Sequence, residues 1–353
     1  MRSLFARPTG RSLAVVAAIA FVYGLGLACG LVHFDVDHLG LMMLGATTPF
    51  PTSPTLTAIA IAYRNPDVAL IADQVLPRVD TDESFSWLEY DLAQGYTVPD
   101  TQVGRKSVPN EVDFSGQDRQ AKVIDYGLDD VIPNRDIGAD NRGIDPRGRA
   151  VEYLTGLVHL GREKRVADLV FSPANYAAAN VLPLSGTSQW SDPNSDPVAA
   201  IGDSLDSVII RPNVATFGQV TWTKLRRHPK LVNAIKGGTT VAGMVSRQEF
   251  ADLFELQEVL VGQSNINLAK KGQPVNMQRT WGKHASFFFR DRSASNQGGV
   301  TFGFTAQWGG WVAGEIPEQR TGLRGAVRVR SGESLKEIIC AKDVDFLFQN
   351  AVG

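Results

Sequence analysis

The chain has 353 residues, 43% hydrophobic and 20% charged, with 35 Lys and Arg against 37 Asp and Glu for a net charge of -2. Such a length buries a sizeable core and suggests two or three domains, while the near-neutral balance gives no field strong enough to hold nucleic acid or an anionic membrane by charge alone. Two cysteines, Cys29 and Cys340, exclude a disulfide framework and a four-thiolate zinc site, and Cys340 reads as a small buried hydrophobe in a strand.

Residues 12–32, SLAVVAAIAFVYGLGLACGLV, carry no charge and follow Arg2, Arg7 and Arg11. About 20 apolar residues behind a basic start match a signal peptide or a single membrane anchor, and Cys29 after GLA sketches an imperfect lipoprotein box. Translation from Met42 or Met43 gives a soluble start instead, and on the residues alone both readings stay open. Residues 47–57 hold three prolines and five threonines, which favours an extended arm with little packing of its own; the amphipathic stretch behind it ends at Pro77. From Phe85 the period becomes two, with Phe85, Trp87 and Glu89 on one side and Ser86, Leu88 and Tyr90 on the other, which predicts a strand. Between Val79 and Val131 lie twelve Asp or Glu and four Lys or Arg. So polar a segment, punctuated by Gly and Pro, predicts a long acidic β-hairpin, with its tip near TQVGRKSVPN, that needs a neighbour for order.

Asp145 as N-cap and Pro146 at the first helical position open a helix over 145–172 that stops before Pro173. Val151, Leu154, Leu157, Val158, Val166 and Leu169 form its apolar stripe, and REKR at 162–165 falls on the wet side. Beyond SGTSQWSDPNSDP the pattern alternates. It predicts a helix near 197–207, a strand in VIIRPNVATF, one helix over TKLRRHPKLVNAIKGG, and a helix in SRQEFADLFEL that Ser246 and Glu249 open as a capping box. Strand-like runs close the chain: EVLVGQSNINLA, HASFFFRD, VTFGFTAQW, GAVRVR and EIICAKDVDFLF.

Chemistry lacks its minimal parts. His33, His38, His159, His228 and His284 show no metal-ligand spacing with one another or with a cysteine in the region beyond the apolar segment, and His159 and His228 read as structural. No GxSxG elbow, GxxxxGKS/T loop or strand-borne GxGxxG occurs. The acidic runs Asp80, Asp82, Glu83 and Asp129, Asp130 fit a solvated face. We therefore assign no catalytic residue, no metal and no cofactor. Two basic clusters remain: Lys224, Arg226, Arg227 and Lys230 around His228, and Arg320, Arg324, Arg328 and Arg330. In AVRVR, Arg328 and Arg330 share one strand face while Val327 and Val329 point inward. A phosphate-binding strip and a contact with the acidic hairpin of a neighbouring copy both fit; the sign asymmetry favours the second, with Glu111 and Asp113 among the acidic partners.

The order of these parts, with W-x-x-L at Trp222 and Leu225, HPKLVNAIKGG at 228–238, SRQEFADLFELQEVLVGQSNIN at 246–267 and TWGKHASFFFRD at 280–291, resembles the major capsid proteins of tailed bacteriophages over everything after about Met43. The fold implied is α+β, the Hong Kong phage-type capsid fold shared with herpesvirus shells. Its parts map onto an apolar N-terminal segment at 1–41, an N-terminal arm at 42–78 and an extended β-hairpin loop at 79–131. A peripheral domain follows at 132–197 with a spine helix at 145–172, then a central α/β axial domain at 198–314 and a return to the peripheral sheet at 315–353.

The resemblance further implies a non-enzymatic homo-oligomer, hexamers and pentamers closing into an icosahedral shell around the double-stranded DNA of a tailed phage or prophage. Assembly is expected in the host bacterial cytoplasm, with a scaffolding protein, a portal and a decoration protein as partners and packaged DNA in non-specific proximity. A separate scaffold is implied because no long, charged helical segment precedes the loop. Some relatives crosslink a loop lysine to an asparagine near the C-terminus of another subunit; Lys106 and Asn350 occupy the matching regions. Membrane contact is expected only if residues 12–32 are an anchor, and the alternative function is then a membrane-anchored bacterial envelope or surface β-rich protein.

Overall fold

The computed structural model describes residues 70–90, 92–113, 116–139, 145–237, 243–293 and 299–353. The apolar segment 12–32 and the arm up to residue 69 lie outside the described residues. Among the described residues, no helix is long and apolar enough to cross a membrane.

The first elements are a one-turn helix α1 (Ala72–Val75), β1 (Arg78–Asp80), β2 (Ser84–Tyr90), a short helix α2 (Leu92–Tyr96), β3 (Gly116–Lys122) and β4 (Ile124–Pro133). After α3 (Asn134–Ala139) comes the long helix α4 (Pro146–Val170), 25 residues and about 37 Å at 1.5 Å per residue. Asp145 accepts the Arg147 N–H at 3.0 Å and Pro146 occupies the first turn, as the sequence predicts.

The second half of the chain supplies β5 (Val181–Pro183), α5 (Pro197–Ser207), β6 (Val214–Gly218), α6 (Gln219–Leu225), α7 (Pro229–Lys236), α8 (Arg247–Phe254), β7 (Glu258–Gly262), β8 (Asn265–Asn267), β9 (Met277–Arg279) and β10 (Ala285–Phe288). Two long strands, β11 (Gly303–Glu318) and β12 (Ala326–Ile339), precede β13 (Asp345–Gln349). The helix expected over TKLRRHPKLVNAIKGG is two: α6 ends at Leu225 and α7 starts at Pro229, because a proline cannot donate to the preceding turn and excludes helical backbone from His228. The strand expected from Val208 begins only at Val214, beyond Pro212.

Two sheets organise the body. A four-stranded sheet runs β1-β11-β12-β4, and a five-stranded sheet runs β5-β13-β10-β6-β7. One face of the five-stranded sheet meets α5 to α8 through Phe217, Trp222, Phe250, Phe287 and Phe348. Its other face holds Val214, Leu260, Phe288 and Leu347 against Trp281, Phe302 and the end of α4, at Val166, Ala167 and Val170. The beginning of α4, at Ala150, Val151 and Leu154, packs on the four-stranded sheet instead, against Ile132, Ala313 and Val329. One helix thus serves two cores, and its middle crosses the gap between them.

That crossing is where the expected solvent-facing REKR fails. Arg162 and Glu163 are buried. Glu163 accepts the backbone N–H groups of Ile71 and Ala72 at 2.9 Å each and the Trp281 indole N–H at 2.6 Å, so it caps the start of α1 with a carboxylate. Arg162 donates to Asp73, to the Leu76 carbonyl at 3.4 Å and to Thr305 Oγ1 at 3.0 Å. Buried Arg290 donates to the Gln74 carbonyl and to Glu258, and Arg78 pairs with buried Glu333 at 2.5 Å. Burial works to raise the Asp73 carboxyl, but Arg162 and Arg78 outweigh it and hold it below its ordinary value; burial pushes Glu163 up against its three donors. Position 162 lies one helical step from both Val158 and Val166, on the apolar stripe itself, so the helix geometry had to bury it.

A second buried acid has no such partners. Asp345, at the start of β13, is fully buried, and neither carboxylate oxygen meets a hydrogen-bond partner beyond its own backbone. Burial, with Asp343 nearby, pushes it up to about 9.

Two outcomes follow. Glu163→Ala strands three buried donors, and equilibrium denaturation should show a loss of about 3 kcal/mol or more; an unchanged midpoint would mean the α1 segment is not held there. Asp345 binds its proton more tightly folded than unfolded, so its contribution is complete below about pH 4 and is lost as pH rises towards 9. Asp345→Asn should therefore raise the unfolding midpoint at pH 8 and leave it nearly unchanged at pH 4, and equal shifts at both pH values would contradict the burial argument.

Candidate assembly surface

The acidic segment expected as one loop over 79–131 divides. β1 and β4 are built into the four-stranded sheet, and only β2, β3 and the residues between them stand outside it. β2 and β3 pair antiparallel from Ser84 opposite Lys122 to Tyr90 opposite Gly116, with cross-strand ion pairs Arg119–Glu89 at 2.7 Å and Lys122–Glu83 at 2.8 Å. Phe85 roots the hairpin, its ring 6.3 Å from Phe304 of β11.

Residues 97–113 form a strap without helix or strand, every one exposed. Asn110 Nδ2 donates to the Asp100 carbonyl at 2.8 Å and ties its two limbs together. Val98 is 87% exposed and Val108 81%, and Tyr96, Val103 and Val112 are exposed too. Scattered apolar residues are normal on a surface, but four within the 17 residues of unpacked chain, with Tyr96 at its edge, mark a segment made to be covered. Glu111 and Asp113 lie in the returning limb, exposed and without an ion pair among the described residues. Lys106 sits in the turn at the strap tip.

The arginines of β12 correct an expectation. Arg330 faces Asp129 directly in the antiparallel register and pairs with it at 2.7 Å, and Arg328 reaches Asp129 at 3.4 Å and Glu318 at 3.1 Å. Their acid lies in the same chain, supplied by β4 and β11; register places an aspartate opposite an arginine, which sequence spacing cannot show. The Arg330 guanidinium holds the Asp129 carboxyl below its ordinary value. Val329 points inward as predicted and is buried. Arg324 is exposed in the β11–β12 turn.

In the basic corner between α6 and α7, Arg226 is half-buried and Arg227 exposed. The Arg226 carbonyl accepts the Val245 N–H at 2.9 Å, and its Nε is buried without a partner. Lys230 is engaged by Asp196 at 3.0 Å. The three described histidines are packing residues. His159 packs at a tilt against Trp311, His228 lies within hydrogen-bond reach of Ser195 Oγ and the Asp192 carbonyl, and His284 accepts the Asn350 N–H. Asn350 itself is exposed, in left-handed backbone, and makes no contact with Lys106. Burial pushes the Cys340 thiol up to about 12. Among the described residues no cluster of His, Cys, Asp or Glu is placed to hold a metal.

The chain is 51% identical over 309 residues to the major capsid protein of Pseudomonas phage JBD67, covering 87% of this chain and 99% of that protein. It is 28% identical over 217 residues to the major capsid protein of Burkholderia phage BcepMu, covering 60% of this chain and 68% of that one. Among solved structures, a phage-related protein from Bordetella bronchiseptica RB50 superposes with a TM-score of 0.66 at 19% identity, over 86% of this chain and 99% of that one. The capsid of the cyanophage P-SCSP1u superposes with a TM-score of 0.53 at 9% identity, over 90% and 95%. No family model matches the chain.

Because the β12 arginines are spent on half-exposed intrachain pairs, their individual worth should be small. A double-mutant cycle on Asp129→Ala and Arg330→Ala should return a coupling of about 0.5–1 kcal/mol that shrinks as salt rises. A coupling above about 3 kcal/mol would place the pair in a far less solvated setting.

Proposed function

The chain belongs to the phage major capsid proteins, and from that premise we propose that many copies of it close into the icosahedral shell around the packaged double-stranded DNA of a tailed phage or prophage. The observation that carries the reading is the strap at 97–113, whose apolar side chains find no cover on their own body. A polar, extended segment of this kind gains order from a partner, so local folding and association become one equilibrium. Identical copies are the natural partner, since closed symmetry lets one surface satisfy another many times over, and interfaces of about 2,000 Å² or more are usual for obligate assemblies.

Within that reading, hexamers and pentamers form around the axial part at 198–314, and the arm at 42–78, the β2–β3 hairpin with its strap from the expected loop 79–131, and the peripheral segments at 132–197 and 315–353 join neighbours. A separate scaffolding protein, a portal and a decoration protein complete the particle, assembled in the host bacterial cytoplasm. No enzymatic role is assigned. The net charge of -2 suits a wall that confines DNA without gripping it, because every phosphate neutralised by Lys or Arg adds affinity that ejection must undo. Lys106 and Asn350 are both exposed and share no hydrogen bond among the described residues, and a crosslink between them would join two copies. The envelope-protein alternative is set aside by the 51% identity to a phage capsid protein.

Replacing residues 97–113 with a short Gly-Ser linker tests the reading. The variant should unfold within about 1 kcal/mol of the parent, since exposed chain adds little to the core, while electron microscopy of the expressed protein shows no closed shells. Shells of normal yield from the deletion variant would sink the proposal.

A further inference from the structure

The turn joining β11 to β12 is shaped to hold one apolar side chain out in water. Gly322 and Gly325 adopt φ values of 63° and 73°, left-handed backbone that side chains with a Cβ rarely adopt. Asn134 Nδ2 donates to the Arg324 carbonyl at 2.8 Å, and the Asn134 N–H to the Gly325 carbonyl at 3.1 Å, so the turn is fastened to the start of α3, directly after β4. On it Leu323 stands 102% exposed.

Arg320 and Arg324 bracket this leucine, both exposed. Neither guanidinium forms an ion pair among the described residues; the nearby acid, Glu318, bonds to the Arg328 side chain and the Arg320 backbone N–H, and the Arg320 charge helps hold its carboxyl down. The four arginines of this region therefore split into an ion-paired set on β12 and two exposed guanidinium groups around Leu323 that make no ion pair among the described residues. A fixed apolar knob between two exposed cations fits an apolar residue between two exposed carboxylates. The chain presents that complement on its strap, where Val112 is exposed between Glu111 and Asp113, with exposed Val108 beside them.

We propose that Leu323 of one copy packs on Val112 of a second copy, with Arg320 and Arg324 meeting Glu111 and Asp113 across the boundary. This rests on the shell reading and names the contact that completes the strap. It also moves the basic side of the contact from Arg328 and Arg330 to the turn.

Charge exchange tests it. Arg320→Glu with Arg324→Glu should lower the yield of shells at least tenfold by sedimentation and electron microscopy while circular dichroism stays that of the parent, and adding Glu111→Arg with Asp113→Arg in the same chain should restore it. Independently, Leu323→Cys with Val112→Cys should, on oxidation of assembled particles, give a ladder of chain multimers on non-reducing gels. Shells unaffected by the arginine reversal, loss without rescue, or a crosslink confined to single chains would each overturn the contact, the last two by assigning the turn to another partner or to its own strap. If the parent chain forms shells while these tests fail, only this contact falls; a parent that never assembles, with or without its scaffold, removes the shell reading itself. Should the reversal variant not fold, the cysteine experiment decides.

Discussion

A carboxylate sealed inside protein must be surrounded by donors or be neutralised, and the architecture of this chain is arranged around one such group. Glu163 takes three N–H donors, two from the backbone at the start of α1 and one from Trp281 on the back of the five-stranded sheet. Removing any of the three leaves the others around a charge with less to hold it, and the cost of an unpaired buried polar group is comparable to a good part of a domain's whole stability. The constraint works in both directions. The segment 71–78 can sit only where Glu163, Arg162, Arg290 and Glu333 receive it, and those four buried charges are tolerable only because the segment sits there.

Away from this joint, the molecule treats charge differently. Half-exposed pairs such as Arg330–Asp129 and Arg119–Glu89 decorate the sheets, and each is worth at most about 1 kcal/mol. They fix register and direction more than they add stability. The strap and the turn around Leu323 combine exposed apolar side chains with charges that make no ion pair among the described residues. Under the proposed shell, the apolar side chains that these two outlying segments leave in water are the ones a neighbouring copy would cover.

Much of this was legible in the residues. The ends of α4 follow from Asp145, Pro146 and Pro173, and α8 from the Ser246 and Glu249 capping box, which forms with Glu249 accepting the Ser246 N–H at 2.8 Å. These signals are local, and local hydrogen bonding decides them. The resemblance to phage capsid proteins rested on order and phrases, and the order of elements is what the fold preserves. Three things were hidden. Arg162 and Glu163 look like solvent-facing charges because burial of an ion depends on partners 86 or more residues away, although their place on the apolar stripe was a clue. The β12 arginines found Asp129 through strand register, which composition does not encode. Leu323 gave no signal, since a single leucine in a Gly-rich turn has no period to break.

The position of the strap can be traced back to the sealed carboxylate one bond at a time. Once Ile71 and Ala72 are fixed on Glu163, the Pro77 carbonyl accepts the Thr305 N–H at 2.8 Å, and β1 is committed to run parallel to β11 with Arg78 opposite Thr305. Thr81 then donates to the Gln307 carbonyl at 2.8 Å, and the Glu83 carbonyl takes the Val123 N–H at 3.0 Å, which starts the β2–β3 pairing at Ser84 opposite Lys122. Every step is a backbone contact of fixed geometry, so little angular freedom accumulates between the joint and the root of the hairpin. The side chains that determine where the strap leaves the body are therefore those of Arg162 and Glu163, in the middle of a helix that never touches it. A surface meant to meet an identical surface on another copy has to be aimed, and here the aim is set by polar groups in the one place where water cannot compete for them.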